Sequence, residues 1–481
     1  MPFQILNTND TLEKRNILNL PLLKDIRFWI VFFFLIRLIG ITNPPLENAH
    51  DWRQCLTNMM SRNLYETDNN PFYPRVDNGG KHDGIIASEF PVYNYVVYLI
   101  SLVFGYAHWY GRLVNLIISS LAVWYFYKLL KYYLSEKVAF TSAFLLTISI
   151  WFTFSRKTMP DIFSISMMIM ALYQVFTFIK TYNWWRLALF GILAGIAVLA
   201  KLPAIYALSI LGLIILNGST RLLPKISVIL TAVFVFSIGY WWYFVWGEYL
   251  LKTWEYQLYF PKNYKEGPPE FLATLGMAAE RFYFSAFQSF IAFGMFVFGL
   301  YTAIRKKLKT PLYILAVTFP VFLIFIVKTG NVFALHSYYI IPFVPVMCII
   351  AAVGLSALPS RFYVWILCFI AIEAIANQQH DFFIPDSEKF KLNLETEINK
   401  SVPANTKIVL SGTTGPQYLY FAHRKGWGVS PEQTLDTDYM NFVQSKDYRY
   451  LVVIKRELDS SLPYTKISED ADIVMYDMKG D

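Results

Sequence analysis

Side chains that could carry acid–base chemistry follow closely after the first apolar run of this 481-residue chain. The segment Glu47-Asn-Ala-His50-Asp51-Trp52-Arg53-Gln54 places a carboxylate two residues from a guanidinium. A carboxylate in such a place can take a proton as a general base, and an arginine beside it can bind an anion. We predict these roles for Asp51 and Arg53. The alternative is a solvated acid in a surface ion pair.

Two more acids stand beside prolines that favour the start of a helix. Glu89 lies two residues before a proline, and Asp161 follows one directly. Acids and prolines are both favoured in a first helical turn, so structural and functional roles stay open for both acids. The basic pair Arg156 and Lys157 lies just before Asp161, on the predicted outer side, where a phosphate would account for it.

Two ionisable residues interrupt apolar runs. Lys201 lies in Leu199-Ala-Lys201-Leu-Pro203, and His336 lies in Ala334-Leu-His336-Ser-Tyr338-Tyr339. An ionisable group at membrane depth is a functional hypothesis by default. The alternative for Lys201 is an ammonium that extends to the lipid head groups, and the alternative for His336 is a histidine at the interface.

The elements that must position these residues are membrane helices, as the composition indicates. Hydrophobic residues make up 56% of the chain and charged residues only 16%, where soluble domains average about 25% charged. This balance excludes a disordered chain and an ordinary soluble enzyme. The net charge of +8 suits basic cytoplasmic loops and does not require a nucleic acid. The three cysteines form no CxxC pattern, so neither a disulfide framework nor a zinc site is predicted.

Apolar runs that could cross a bilayer recur along the chain. A spanning helix needs about 20 apolar residues, and we predict about eleven such helices. With a cytoplasmic N-terminus, every predicted inner turn is basic, as the positive-inside rule requires. The predicted fold is therefore all-α and polytopic. The predicted spans are 26–42, 109–131, 138–155, 162–180, 184–200, 203–218, 226–246, 284–304, 311–327, 338–358 and 362–378.

The apolar run 91–104 does not fit this series of spans. A crossing here would move the basic turn after the next span to the outer side. The run is also short and rich in tyrosine, which is favoured at membrane interfaces. We predict a helix lying in the outer interface, with a short tilted span as the alternative.

Two large segments are predicted outside the membrane. The outer loop 43–108 belongs with the membrane domain 1–379, and its start can form an amphipathic helix from Asp51 to Tyr65. Residues 380–481 turn polar and show strand-like runs at 407–410, 450–454 and 472–476, with helices at 414–423 and 436–445. About 100 residues suffice for a small extracytoplasmic α/β domain.

Several of these segments resemble motifs of the GT-C membrane glycosyltransferases, in the branch of protein O-mannosyltransferases and bacterial aminoarabinose transferases of lipid A. The resemblance covers most of the chain up to about residue 360. Asp51 resembles the outer-loop Asp that follows the first span in this family. The other matching segments are Glu89-Phe-Pro91, Gly111-Arg112-Leu113, Pro160-Asp161, Leu199-Ala-Lys201-Leu-Pro203 and His336-Ser-Tyr338-Tyr-Ile-Ile-Pro342-Phe-Val-Pro345.

The resemblance implies a bacterial inner-membrane enzyme that moves a sugar from a polyprenyl-phosphate donor to a lipid, glycan or protein acceptor on the extracytoplasmic face. Asp51 would deprotonate the acceptor hydroxyl, so the sugar would invert at its anomeric carbon. No nucleotide and no obligatory metal are implied. The remaining implied roles are orientation of hydroxyls by Glu89 and Asp161, phosphate contacts by Lys201, Arg53, Arg156 and Lys157, and substrate contacts by His336, Tyr338 and Glu255.

Two departures from the family pattern bear on these roles. Phe90 stands where the family has a lysine, so a phosphate contact would move to Lys81 or Lys157. Glu255 is followed by a tyrosine where one branch has a histidine that can help to hold a metal, which argues against a metal site.

Two other classes of protein remain as alternatives. A surface-polysaccharide polymerase or ligase would rely on outer Arg and His rather than on an outer Asp. A flippase or transporter would show paired repeats and broken helices near the midplane.

Overall fold

The structure is a computed structural model that describes residues 21–48, 50–256 and 262–480. The contacts divide these residues into two units. The first unit takes the described residues within 1–41, 112–244 and 259–382. The second unit takes those within 42–111, 245–258 and 383–481. The outer loop therefore belongs to the same unit as the C-terminal residues, whereas the sequence assigns that loop to the membrane domain.

Six helices in the described part of the chain are long and apolar enough to cross a membrane, and a bent pair brings the number to seven. The predicted count of eleven is therefore not confirmed. The six are Tyr110–Leu130, Pro160–Thr181, Leu222–Trp254, Lys309–Thr329, Ser337–Ser356 and Ser360–Asn399, and the bent pair is Leu275–Ser285 with Phe290–Arg305.

Shorter helices account for most of the difference between these counts. The predicted span 138–155 is broken at Ser149 into two helices, and the predicted span 203–218 is mostly a 3-10 helix. The shorter helical elements of the first unit are Pro21–Lys24, Ile26–Arg37, Glu136–Ile148, Trp151–Phe154, Trp184–Ala200, Leu202–Leu211, Gly212–Leu216, Gly267–Ala273, Asn331–Leu335 and Gln379–Phe382.

Two glycines let a pair of apolar helices of the first unit touch through their backbones. A side chain at Gly299 would lie 1.9 Å from the Ile350 carbonyl oxygen, and one at Gly354 would lie 2.4 Å from the Met295 carbonyl oxygen. Small residues at a helix–helix contact permit this approach, which is a common way of packing helices within a membrane.

A five-stranded sheet forms the centre of the C-terminal part of the second unit. The strands are β1 (Ile408–Ser411), β2 (Gly426–Val429), β3 (Tyr450–Ile454), β4 (Thr465–Glu469) and β5 (Ile473–Asp477), and their spatial order is β2-β1-β3-β5-β4. Strands β2, β1 and β3 are parallel, and β5 is antiparallel to both β3 and β4. The three predicted strands are confirmed as β1, β3 and β5, while β2 and β4 were not predicted.

The helices of the second unit come from all three of its chain segments. The predicted helices at 414–423 and 436–445 are confirmed, although the first is shorter than predicted. The helical elements are Asp51–Glu66, Val92–Phe104, Gly247–Trp254, Asp386–Asn393, Leu394–Asn399, Gln417–Ala422, Pro431–Leu435 and Thr437–Gln444.

The outer loop extends the sheet at its β2 edge. The Gly426 amide donates to the Asp77 carbonyl at 2.9 Å, and the Gly79 amide donates to the Gly426 carbonyl at 3.0 Å. The Asn78 side chain also donates to the Thr414 carbonyl and accepts from the Gly428 amide. These bonds pair an edge strand that would otherwise expose its polar groups, which explains why the loop and the C-terminal residues form one unit.

Candidate functional site

The first unit contains a buried ion pair built from two predicted site residues. Asp161 lies in the first turn of the helix Pro160–Thr181, and Lys201 ends the helix Trp184–Ala200. The Lys201 ammonium is 3.7 Å from the nearest Asp161 carboxylate oxygen, and both side chains are at most 10% exposed. This burial argues against an ammonium that extends to the lipid head groups.

Aromatic rings lie on one side of this ion pair. The Lys201 ammonium lies 5.8 Å from the centre of the Tyr338 ring, which stacks on the His336 ring at 5.3 Å. Tyr338 is also 6.4 Å from the Phe154 ring, and the Lys157 ammonium lies 5.7 Å from that ring. The structure therefore brings four predicted site residues of this unit together: Asp161, Lys201, His336 and Tyr338.

The basic pair before Asp161 is buried, and its two members have different partners. Arg156 donates to the backbone carbonyls of Arg37, Ile39 and Asp381. Carbonyl partners of this kind favour a structural role for its guanidinium. The Lys157 ammonium instead lies 3.5 Å from the Asp381 carboxylate. The phosphate contacts of both residues stay predictions.

An apolar cavity begins close to the aromatic rings. Its lining includes Ile165, one helical turn after Asp161, and Pro342, one turn after Tyr338. Tyr206 also lines it and donates its hydroxyl to the Pro342 carbonyl at 2.6 Å. A buried charged cluster therefore stands next to a long apolar space in the first unit.

Asp51 and Arg53 belong to the second unit, at the start of the helix Asp51–Glu66. His50 precedes this helix in a left-handed conformation, with φ of 61°. Arg53 donates to the Glu89 carboxylate at 2.6 Å, so two predicted site residues form an ion pair with an almost fully buried guanidinium. The Gln417 side-chain amide lies 3.4 Å from the Asp51 carboxylate and was not predicted as a site residue.

The predicted helix forms as Asp51–Glu66, but its polar face is not exposed to solvent. Every residue from Arg53 to Leu64 is buried, because other parts of the second unit cover the face that the sequence leaves polar. Arg62 donates to Asp77 at 2.6 Å and to the Tyr420 carbonyl at 3.3 Å. Burial alone would raise the pKa of the Asp77 carboxyl, but the charges of Arg62 and Lys425 hold this pKa below its usual value.

Glu255 lies at an exposed position of the second unit, in a left-handed conformation after the helix Gly247–Trp254. It pairs with Lys81, and this hydrogen bond lowers the pKa of the Glu255 carboxyl. The two residues were predicted separately, as a substrate contact and as a relocated phosphate contact. Their functional roles stay predictions.

No group of three or more His, Cys, Asp or Glu side chains that could hold a metal ion occurs in the part of the chain that the structure describes. The donor set around Asp161 and Lys201 contains an ammonium, which is not a metal ligand. The role of metals therefore stays a prediction.

His423 bridges two carboxylates in the second unit. Its Nε2 lies 3.1 Å from a Glu66 oxygen and its Nδ1 lies 3.0 Å from a Glu395 oxygen. The hydrogen bond to Glu66 raises the pKa of the His423 imidazole, against the opposing effect of burial. When the imidazole is protonated, both of its nitrogens can donate, and it ties the helix Asp51–Glu66 to the helix Leu394–Asn399.

We expect this contact to make the stability of the chain depend on pH. Because the folded pKa of His423 lies above the unfolded value of about 6.5, the stabilisation is complete below that value and is lost as pH rises through the folded pKa. Partly exposed pairs are worth up to about 1 kcal/mol, or about 1 °C in Tm for a chain of this length. Between about pH 6 and pH 9, the Tm of wild type should therefore drop further than the Tm of His423→Gln does. The difference between the two drops should equal this contribution. Equal pH dependence in the two proteins would contradict this assignment.

Comparison with known proteins identifies the fold. A family model described as dolichyl-phosphate-mannose-protein mannosyltransferase matches residues 88–243. ArnT from Cupriavidus metallidurans in the apo state is similar in structure, with a TM-score of 0.62, 12% sequence identity and coverage of 93% of this chain and 97% of that chain. The same protein bound to undecaprenyl phosphate gives a TM-score of 0.61 at 12% identity over the same shares of the two chains, 93% and 97%. No curated protein matches the chain.

The structure of a second protein supports the same fold. The archaeal oligosaccharyltransferase AglB from Archaeoglobus fulgidus, in complex with an inhibitory peptide and a dolichol-phosphate, gives a TM-score of 0.56 at 14% identity, with coverage of 92% of this chain and 73% of that chain. The family match and these structures confirm the predicted resemblance. The chain is a multi-pass membrane protein with the fold of the GT-C glycosyltransferases.

Proposed function

We propose that this protein transfers a sugar from a polyprenyl-phosphate donor to an acceptor hydroxyl on the extracytoplasmic face of a bacterial inner membrane. The GT-C fold, the mannosyltransferase family match and the similarity to a structure with bound undecaprenyl phosphate support this proposal. The basic inner turns of the sequence support the assignment of the membrane faces.

The observation that carries the proposal is the Lys201–Asp161 pair beside the apolar cavity. A polyprenyl-phosphate sugar has an anionic head and a long apolar tail. Its phosphate suits a buried ammonium, and its tail suits a cavity that begins one helical turn from Tyr338. The 3.7 Å separation of Lys201 from Asp161 exceeds the 2.7–2.9 Å of a charge-assisted hydrogen bond, so a phosphate oxygen can become the closer partner.

In the proposed reaction, Asp51 takes the proton of the acceptor hydroxyl. The oxygen of that hydroxyl attacks the anomeric carbon opposite the phosphate, and a new glycosidic bond forms with inversion. The bond from the anomeric carbon to the phosphate oxygen breaks, and its electron pair stays on the phosphate. Lys201 stabilises the charge that builds up on this leaving group, a contribution that is often the largest in enzymes of this kind.

The proposal is tested by lipid analysis of a bacterial strain that lacks the protein. Mass spectrometry of lipid extracts should show an accumulated polyprenyl-phosphate sugar, because its consumer is missing. Wild-type protein should remove the accumulated lipid, whereas Asp51→Asn made at the same level should not. An unchanged pool of polyprenyl-phosphate sugars in the deletion strain would contradict the proposal.

A further inference from the structure

The helix that leads to Lys201 ends in the interior of the first unit. Lys201 follows the helix Trp184–Ala200 in an extended conformation, and the 3-10 helix Leu202–Leu211 begins directly after it. Pro203 has no amide hydrogen, so it cannot continue the hydrogen-bond ladder of the first helix. The last turn of a helix leaves carbonyl groups without partners, and within a membrane protein only other protein groups can supply the donors.

Two hydroxyl groups from other helices donate to this last turn. The Ser164 hydroxyl donates to the Ala197 carbonyl at 2.7 Å, and the Lys201 carbonyl lies 3.2 Å from the same hydroxyl. The Tyr243 hydroxyl donates to the Leu199 carbonyl at 3.0 Å. Ser164 is 1% exposed and Tyr243 is 6% exposed, so both hydrogen bonds are shielded from water. The end of the helix is therefore fixed at Lys201 itself and in the turn before it.

Ser164 also connects Lys201 to its partner Asp161. Ser164 lies one helical turn after Asp161, on the same face of the helix Pro160–Thr181. Its hydroxyl therefore joins the backbone of Lys201 to the helix that carries the partner carboxylate. A lysine side chain is a flexible four-carbon stem, so the position of its ammonium depends on where the backbone holds the start of that stem.

We propose that Ser164 and Tyr243 are positioning residues for Lys201, and that they hold its ammonium where the phosphate of the donor binds. This inference rests on the proposed function. A cation that is already in place needs no reorganisation when charge builds up on the leaving group, which makes its electrostatic stabilisation effective. Neither hydroxyl contacts the phosphate, and each acts through the backbone that carries Lys201.

The alternative is a purely structural role for the two hydroxyls. They would then satisfy the carbonyl groups of a helix end, and their loss would affect the stability of the unit or the shape of its cavity. A structural role does not depend on the phosphate of a bound lipid or on the charge at residue 201. These two dependences therefore separate the roles.

The test measures the binding of two lipids to the purified full-length protein. Undecaprenyl phosphate has an anionic head, and undecaprenol has the same tail without the phosphate. We expect Ser164→Ala and Tyr243→Phe each to weaken the binding of undecaprenyl phosphate about three- to tenfold, the effect of one hydrogen bond. Binding of undecaprenol should stay within about twofold of wild type. Tyr243→Phe removes one oxygen atom and keeps the ring, so it provides the test if Ser164→Ala folds poorly.

A second measurement asks whether the two hydroxyls act through Lys201. Lys201→Gln removes the positive charge, but its amide can still donate to the Asp161 carboxylate. This variant should bind undecaprenyl phosphate about 10–150-fold more weakly than wild type, because a charge-assisted hydrogen bond is lost. In the Lys201→Gln background, Ser164→Ala and Tyr243→Phe should change the affinity by less than about twofold, because the cation that they position is absent.

Two variants of the first unit serve as matched controls. Ser166 lies on the same helix as Ser164, and its buried hydroxyl has no hydrogen-bond partner among the described residues. The Tyr363 hydroxyl makes a hydrogen bond of 2.8 Å with the Thr141 hydroxyl and none with the end of the Lys201 helix. Ser166→Ala and Tyr363→Phe should bind both lipids as wild type does.

Four outcomes would overturn the inference. The first is unchanged affinity for undecaprenyl phosphate in folded Ser164→Ala and Tyr243→Phe. The second is an equal loss of affinity for undecaprenol, which would assign the hydroxyls to the shape of the cavity. The third is an equal effect of these changes with lysine and with glutamine at residue 201. The fourth is a wild-type protein that does not bind undecaprenyl phosphate, which would refute the proposed function as well. The first three would leave the proposed function intact.

Discussion

Replacement of Asp51 by asparagine is expected to lower the rate of sugar transfer by about two to four orders of magnitude. Asparagine keeps the size of the side chain and can still accept from the Gln417 amide, but it cannot take a proton from the acceptor hydroxyl. The rate of transfer from the donor should be measured with purified protein at saturating acceptor. This comparison isolates the loss of the base from any loss of acceptor binding.

A matched control for this prediction lies in the same outer loop. Asp83 is an exposed acid of the second unit, and Asp83→Asn should transfer sugar at the wild-type rate. Both variants should melt within a few degrees of wild type, because neither change removes buried apolar surface. Transfer by Asp51→Asn at more than about a tenth of the wild-type rate would eliminate Asp51 as the base.

The sequence was a good guide to individual elements of the second unit. The helix from Asp51 is predicted because residues 51–65 can form an amphipathic helix and a turn-rich segment follows them. The burial of this helix is not predicted, because Arg62 is covered in part by Tyr420, which lies 358 residues further along the chain. A polar face predicts that a helix is exposed to solvent only when no distant segment of the chain supplies partners for the polar side chains of that face.

The strands that were not predicted show how pairing overrides local sequence. Strand β2, Gly426-Trp-Gly-Val, contains two glycines, which are depleted in strands. It becomes a strand because β1 and the backbone near Asp77 pair with it on its two sides. Strand β4 is polar and largely exposed, so only its ladder with β5 defines it.

The sequence places the candidate site residues of the first unit on different helices at one membrane face, but it does not predict which of them are in contact. Lys201, His336 and Tyr338 were chosen because each interrupts an apolar run or matches a family motif. The contact between the Lys201 ammonium and the Tyr338 ring joins segments more than 100 residues apart in sequence, which no local pattern reveals. Gln417 left a weaker signal, a turn-rich Gly-Thr-Thr-Gly-Pro segment after a strand-like run.

The second large effect is expected at Lys201. A charge-assisted hydrogen bond to phosphate is worth about 1.5–3 kcal/mol, so Lys201→Ala should lower kcat/KM for the donor roughly 10–150-fold. Lys201→Arg keeps the charge and should recover part of this loss. The KM for the acceptor should stay unchanged, because the proposal assigns Lys201 to the leaving group alone.

Loss of Lys201 also breaks its buried pair with Asp161, and breaking such a pair can cost about 3–5 kcal/mol of stability. Kinetic constants must therefore be corrected for the folded fraction, which Tm and size-exclusion profiles report. Lys180 serves as the control, because its ammonium lies 3.8 Å from the Tyr132 ring centre at the other end of the Asp161 helix. Lys180→Ala should leave donor kinetics unchanged. If folded Lys201→Ala also keeps wild-type donor kinetics, Lys201 serves stability alone, and the phosphate must bind at Arg53, Arg156 or Lys157.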